Sequence, residues 1–411
     1  MKKSYIIISL VVFFTTISID TYAQKDRPEK PKYVFLFIGD GMGFSQISLT
    51  EAYLATQKEK IGSDPVTFTK FPVMGMVTTH SANSFITCSS AAGTALSTGF
   101  KTNNLMLAVD PDTNKLISIT YKIHEKGIPV GILSTVTIDH ATPGAFYANS
   151  TARSSYYDIA MQIPTSGFEF FGGGGFLKPD GDKGDKTNMY KVLENSGYAV
   201  VRGTRDLPSK KTNKKIALFQ EVGKEKDLPF AIDRKDGDLA LKDIVGAAIE
   251  HLYNKQGFFI MAEGGKIDWA AHSNDAKTTI MEILDFADAI DIAYQFYLKH
   301  PKETLIIVTS DHDTGGASLG RDKGDQLKLN ELNNQKGSFA EYKSDTEKFN
   351  QQKYESFMGL SKAAKVGWTT TSHLGNAVPI FSIGSGSRSF SGRMDNTEIP
   401  RKILNLMNIE F

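Results

Sequence analysis

Short apolar runs that each lead into a carboxylate or an imidazole constrain this chain more than anything else in it. Tyr33–Ile38 runs into Asp40, Phe258–Ala262 leads to Asp268 and His272, and Leu305–Thr309 leads to Asp311 and His312. His373 stands just ahead of a further run, Val378–Ile383. With Pro129–Leu133, Gly257–Met261 and Thr304–Thr309, these runs have the length and composition of buried strands. Helix-like segments separate them. One lies near Ser45–Thr56, and another is Asp275–Leu298, where Ile280, Ile283, Leu284, Ala287, Ile290 and Ile292 dominate one side. This alternation predicts an α/β fold: a three-layer α/β/α sandwich around a central, mostly parallel sheet. Ligands of such sheets sit beyond the carboxyl ends of the strands, where the acids and histidines fall.

Two stretches break the pattern. Gly172–Gly184, rich in Gly, Asp and Lys, reads as a loop. Arg321–Gln352 is polar with few apolar residues and reads as a surface insertion, either a solvated excursion or a lid or rim near the site.

The first residues read as a secretory signal: basic Lys2 and Lys3, the apolar stretch Tyr5–Ile19, and small residues around Thr21-Tyr22-Ala23. Cleavage after Ala23 would leave 24–411 as one domain, with the insertion at about 321–352. No later stretch approaches membrane-spanning length, and no cysteine follows the apolar stretch to carry a lipid, so no membrane anchor is expected. A formal net charge of +1 gives no reason to expect nucleic acid or an anionic membrane as partner. Cys88 is the only cysteine, which excludes an intramolecular disulfide. An exported chain without disulfides points to a bacterial periplasm, with bound metal supplying part of the rigidity.

Carboxylates and imidazoles gathered from strand ends make hard-to-borderline metal sites, and two metals held close can clamp a phosphoryl group. In Gly39-Asp40-Gly41-Met42-Gly43 the glycines permit a sharp turn from strand to helix. Thr87-Cys88-Ser89-Ser90-Ala91-Ala92-Gly93-Thr94-Ala95 is a run of small residues able to open a helix, where unpaired N–H groups suit both an attacking hydroxyl and an incoming phosphate. No GxSxG elbow is present, so a metal rather than a histidine would activate that serine. In Glu263–His272, Asp268 and His272 are four apart and share a face of any helical turn.

The segments Phe37–Gly43, Thr87–Gly99, His140-Ala141-Thr142-Pro143, Glu263–His272, Ser310–Gly316 and Thr371–Gly375 resemble, in order, the motifs of the alkaline phosphatases, within the wider superfamily of metal-dependent phosphatases and sulfatases. The resemblance implies hydrolysis of phosphate monoesters at alkaline pH, with Ser89 as the nucleophile that becomes phosphoserine. It implies two zinc ions per chain: one on Asp268, His272 and His373, the other on Asp40, Asp311 and His312. A third position, usually magnesium but open to another divalent metal, would use Thr142 and Glu263 with Asp40 bridging, and His140 beside or within it. Arg153, at the family spacing after Thr142, would grip two phosphate oxygens. Many relatives are dimers, so a homodimer is possible. Cys88 stands where many relatives have Asp, and His140 and Trp269 where some bacterial members have Asp and Lys. Phosphodiesterase or sulfatase activity is the neighbouring alternative, and a catalytically silent metal-binding protein the more distant one.

Overall fold

The computed structural model describes residues 30–203, 214–220, 226–322, 326–344 and 358–411. The expected secretory signal, residues 1–23, lies outside the described residues, as do residues 323–325 and 345–352 of the expected insertion.

Fourteen strands are present among the described residues: β1 (Tyr33–Gly39), β2 (Val73–Thr78), β3 (Val130–Ser134), β4 (Phe170–Gly173), β5 (Tyr198–Arg202), β6 (Lys215–Phe219), β7 (Phe258–Gly264), β8 (Thr304–Ser310), β9 (Asp313–Thr314), β10 (Ala317–Leu319), β11 (Val366–Trp368), β12 (His373–Leu374), β13 (Val378–Gly384) and β14 (Gly392–Asp395). Ten of them form one sheet in the order β14-β2-β13-β8-β1-β7-β3-β4-β6-β5. Only β13 runs against its neighbours, β8 and β2. β9 pairs with β12 in a separate two-stranded ribbon, which sets His373 opposite Thr314.

The central strand β1 shows why the sheet is sandwiched. Val34, Leu36 and Ile38 enter one core, while Tyr33, Phe35 and Phe37 enter another on the opposite face. Both faces are apolar, so helices must cover both. The first core takes Leu96 of the helix Ser89–Thr98 and Ile399 and Ile403 of Glu398–Leu406. The second takes Ile244 and Val245 of Leu241–Leu252 and Ile283, Phe286 and Ile290 of Ala276–Lys299. Ile292 departs from the expected apolar side: it falls outside the i, i+3, i+4, i+7 set and faces solvent.

Gly172 and Gly173 end strand β4 rather than opening the loop. The insertion differs more. Its described part is no solvated excursion: Leu329 and Leu332 are buried in a third core with Leu49, Tyr53, Ala276 and Ile280. Gln335 donates to Asp275 Oδ1 (2.8 Å) and the Phe339 N–H to Asp275 Oδ2 (2.9 Å). Asp275 also caps the helix that follows His272, through the Thr278 N–H (3.0 Å).

Candidate active site and metal centre

The parallel strands β1, β7 and β8 are in register, so their carboxyl ends lie level, Gly39 opposite Gly264 and Ser310. Asp40 leaves β1, Glu263 ends β7, and Asp311-His312 leave β8, all fully buried. The turn after Asp40 needs glycine. Gly41 has φ +70, and a Cβ there would come within 2.9 Å of Asp268 Oδ1 and 2.8 Å of Thr314 Oγ1. Its N–H instead donates to Asp311 Oδ1 (3.0 Å), tying the ends of β1 and β8 together. Asp268 and His272 share one face of the helix Lys266–His272, with His272 Nε2 3.3 Å from Asp268 Oδ2. His373 arrives on β12, its ring stacked 3.7 Å from that of His312.

Hydrogen bonds fix which nitrogen each imidazole presents. His272 Nδ1 donates to the Thr371 carbonyl (2.6 Å) and His373 Nδ1 to the Thr87 carbonyl (2.9 Å). Thr314 Oγ1 donates to Asp268 Oδ1 (2.6 Å), so its remaining capacity accepts from His312 Nδ1 (3.2 Å). All three rings therefore turn Nε2 inward; burial keeps His312 and His373 neutral, with that nitrogen bare, while contact with Asp268 draws His272 toward protonation. The Nε2 atoms of His272 and His373 face each other at 3.1 Å, and that of His312 lies 3.2 Å from Asp311 Oδ2 and 3.5 Å from Asp40 Oδ1. The bare His312 Nε2 pointed at two carboxylates repels them unless a cation lies between.

The orphaned oxygens agree. Both carboxylate oxygens of Asp40, Asp311 Oδ2, Glu263 Oε1 and Thr142 Oγ1 are buried without a hydrogen-bond partner. Ser134 donates to the other oxygen of Glu263. Burial, then the charges of Asp311, Asp268 and Glu263, pushes Asp40 well above the usual carboxylate range. Burial lifts Glu263 to about 7, and burial with the Asp268 charge lifts Asp311 to about 8. Asp268 goes the other way: burial opposes its charge, but the His272 hydrogen bond and the three surrounding imidazoles hold it well below its ordinary value. Burial, then His373, depresses His312. Among the described residues, two groups have ligand atoms close enough to hold an ion: Asp40, Asp311 and His312; and Asp268, His312 and His373. His272 stands against both Asp268 and His373. The donor set of carboxylates and imidazole nitrogens fits divalent cations.

Ser89 opens the helix Ser89–Thr98 and lies on the same centre, its Oγ 3.3 Å from His312 Nε2; since that nitrogen is bare, the hydroxyl donates. Ser90 is turned away, its hydroxyl against Cys88 Sγ (3.1 Å). Gly93 lets this helix pack on the turn carrying Thr142, where a Cβ would be 3.3 Å from the Thr142 Cα. His140, just ahead of that turn, points its Nε2 at Arg153 Nη2 (3.2 Å) and leaves Nδ1 without a partner. Burial, then the Arg153 charge, lowers His140 to about 3, so it stays neutral and accepts from the guanidinium. Trp269 packs edge-on against the His140 ring.

Sequence reasoning missed Thr314 and Ser134, which orient Asp268 with His312 and Glu263, respectively. Both had a readable signal: Ser134 ends a strand as the acids do, and Thr314 is two residues past His312, where β-alternation returns to the same face.

A level row of acids beyond a parallel sheet, imidazoles turned inward and a serine at a helix start define a divalent-metal-dependent hydrolase site. The comparisons specify the class. The alkaline phosphatase family model matches residues 31–172 and 170–409, and the chain belongs to that family. It is therefore an enzyme of the phosphomonoester hydrolase class. Alkaline phosphatase 3 of Bacillus subtilis is 31% identical, over 92% of this chain and 90% of that protein. The alkaline phosphatase of the psychrophile Shewanella sp. superposes with TM-score 0.80 at 28% identity, covering 91% of this chain and 99% of its own. A mutant of the alkaline phosphatase from the Antarctic bacterium TAB5, with Mg bound in its M3 site, gives TM-score 0.75 at 30% identity over 93% and 99%.

Proposed function

We propose that the protein hydrolyses small phosphate monoesters at alkaline pH through a phosphoserine on Ser89, with two zinc ions and a third, magnesium, ion bound. The observation that carries this reading is the Ser89 hydroxyl directed at Nε2 of His312, the residue that both candidate ion groups share. Asp268, His272 and His373 would hold the first zinc, and Asp40, Asp311 and His312 the second. Thr142 and Glu263, with Asp40 bridging, would hold the third ion, as their orphaned oxygens support; Mg in the M3 site of the TAB5 mutant is a precedent in a relative. Bound zinc would supply Lewis acidity, lowering the pKa of a hydroxyl or water and neutralising phosphoryl charge.

The chain's own residues do the rest. Arg153 grips two non-bridging oxygens side by side, and neutral His140 holds its Nη2. Ser89 Oγ attacks phosphorus in line as the bond to the leaving oxygen breaks, and the alcohol departs. Water then attacks the phosphoserine, the Ser89 Oγ–phosphorus bond breaks, and inorganic phosphate leaves. The buried Asp40 and Asp311 carboxylates stay charged only in company with cations, which couples activity to metal. Export to the periplasm and assembly as a homodimer complete the proposal.

The test is turnover at pH 9 of p-nitrophenyl phosphate, bis-p-nitrophenyl phosphate and p-nitrophenyl sulfate, before and after zinc and magnesium are restored to stripped protein. Zinc-dependent preference for the monoester is expected. A diester or sulfate preference would mean that Arg153 does not grip phosphate as described, and no activity with zinc bound would leave a silent metal-binding protein.

A further inference from the structure

We propose that Phe85, Ile86 and Leu105 form an apolar shelf at the mouth of the site that receives the leaving group and selects monoesters of aryl and other apolar alcohols. The inference rests on the monoesterase reading above and adds a substrate class to it. The three residues are 92%, 45% and 60% exposed. Single apolar residues on a surface need no explanation, but these are tied to the reacting groups. The Thr87 carbonyl, between Ile86 and Cys88, accepts from His373. The Ile86 carbonyl accepts from Asn104 Nδ2 (3.0 Å), whose Oδ1 takes the Cys88 N–H (3.0 Å). The Leu105 N–H donates to Cys88 Sγ (3.1 Å), and its carbonyl takes the Arg153 N–H (2.8 Å). On the other side a Cβ at Gly375 would meet the Phe85 carbonyl at 3.3 Å and Ile86 Cγ1 at 3.7 Å. The segments that carry the shelf thus adjoin Ser89, Arg153 and His373 together.

Leu105 supplies an independent observation. Its φ is +74, the left-handed region that a leucine avoids. The bonds on either side of it, to Cys88 and from Arg153, hold it there, and its side chain gains little burial within the chain. Backbone strain that presents an exposed side chain beside a reaction centre marks a contact made with a ligand. The occupant follows from what the site leaves uncovered. Once Ser89 and Arg153 hold the phosphoryl group, the leaving group is the part of a monoester still at the rim. An aryl ring there covers the shelf, whereas a polyol gains nothing from it.

The test compares inhibition constants of inorganic phosphate and phenylphosphonate on the metal-loaded full chain, in wild type, Phe85→Ser and Leu105→Asn. Asparagine tolerates the left-handed backbone, so the second variant keeps the loop. The ratio of phenylphosphonate to phosphate constants should rise about tenfold in each variant, as loss of part of a ring's burial implies. If Leu105→Asn fails to fold, the exposed Phe85→Ser gives the same reading alone. An unchanged ratio overturns the shelf, and loss of a dimer in sedimentation with the ratio unchanged reassigns the patch to contact between copies. Absence of any monoester turnover in the wild type would instead overturn the underlying reading.

Discussion

Stripping the metals should make the folded state intolerant of alkaline pH, by an amount the site's carboxylates set. Asp311 is raised to about 8 and Asp40 well above its ordinary value when no cation faces them. In the unfolded chain both are ionised by pH 7, and all histidines are close to neutral by pH 8. From pH 7 to 9 the metal-free folded state therefore holds protons that the unfolded state lacks. A raised folded-state pKa contributes stability that is present at low pH and lost as pH rises through it. At about 1.4 kcal/mol per pH unit per proton, Asp311 loses about 1.5 kcal/mol across this window, and Asp40 loses stability in the same direction. Bound cations replace those protons, so the loaded protein escapes the penalty. The stability gap between loaded and stripped protein should widen by about 1.5 kcal/mol or more from pH 7 to 9, against a total of about 5–15 kcal/mol for an ordinary domain. Titrations common to both forms cancel in the difference. Urea unfolding of each form at pH 7, 8 and 9, at fixed free metal, measures it. A gap that stays constant or narrows would refute the argument that these buried carboxylates need cations.

Further outcomes concern the positioning groups. Arg153→Ala removes a forked, charge-assisted grip worth about 1.5–3 kcal/mol, so the phosphate inhibition constant should rise about 10- to 100-fold; Arg153→Lys should recover only part of this, because the fork is lost. Thr314→Val breaks the link from His312 through Thr314 to Asp268 and should weaken zinc affinity about 10- to 100-fold with little loss of fold, read by competition with a chelator. Glu282, lifted by burial to about 7, accepts the Ala231 N–H (2.6 Å) outside the metal site. Its raised value removes stability as pH rises from about 4.5 to 7, so Glu282→Gln should flatten that part of the stability profile, measured by urea midpoints.

The strands that alternation disclosed were those built on short apolar runs buried on both faces: β1, β3, β7, β8 and β13. β4 and β6 were not found, because Phe170–Gly173 is four residues ending in two glycines and Lys215–Phe219 begins on a charged residue. The packing of Leu329 and Leu332 was hidden too, since two leucines in a polar segment carry no periodicity. Site residues were readable by type, acids and histidines being conspicuous at strand ends. Pairing was not: that β12 lies against β9, stacking His373 on His312, depends on a two-residue ribbon. Hydroxyl partners such as Thr314 and Ser134 carry a signal of position alone, easily passed over because serine and threonine have many ordinary roles.

The most direct test of the central claim is to find the covalent intermediate. Zinc-loaded protein would be mixed with a phosphate monoester, quenched in acid, digested and sequenced by mass spectrometry, with Ser89→Ala and Ser90→Ala alongside. The account expects one phosphoryl group on Ser89, its loss together with turnover in Ser89→Ala, and its retention in Ser90→Ala. A phosphoryl group on Ser90, or full turnover by Ser89→Ala, would contradict it.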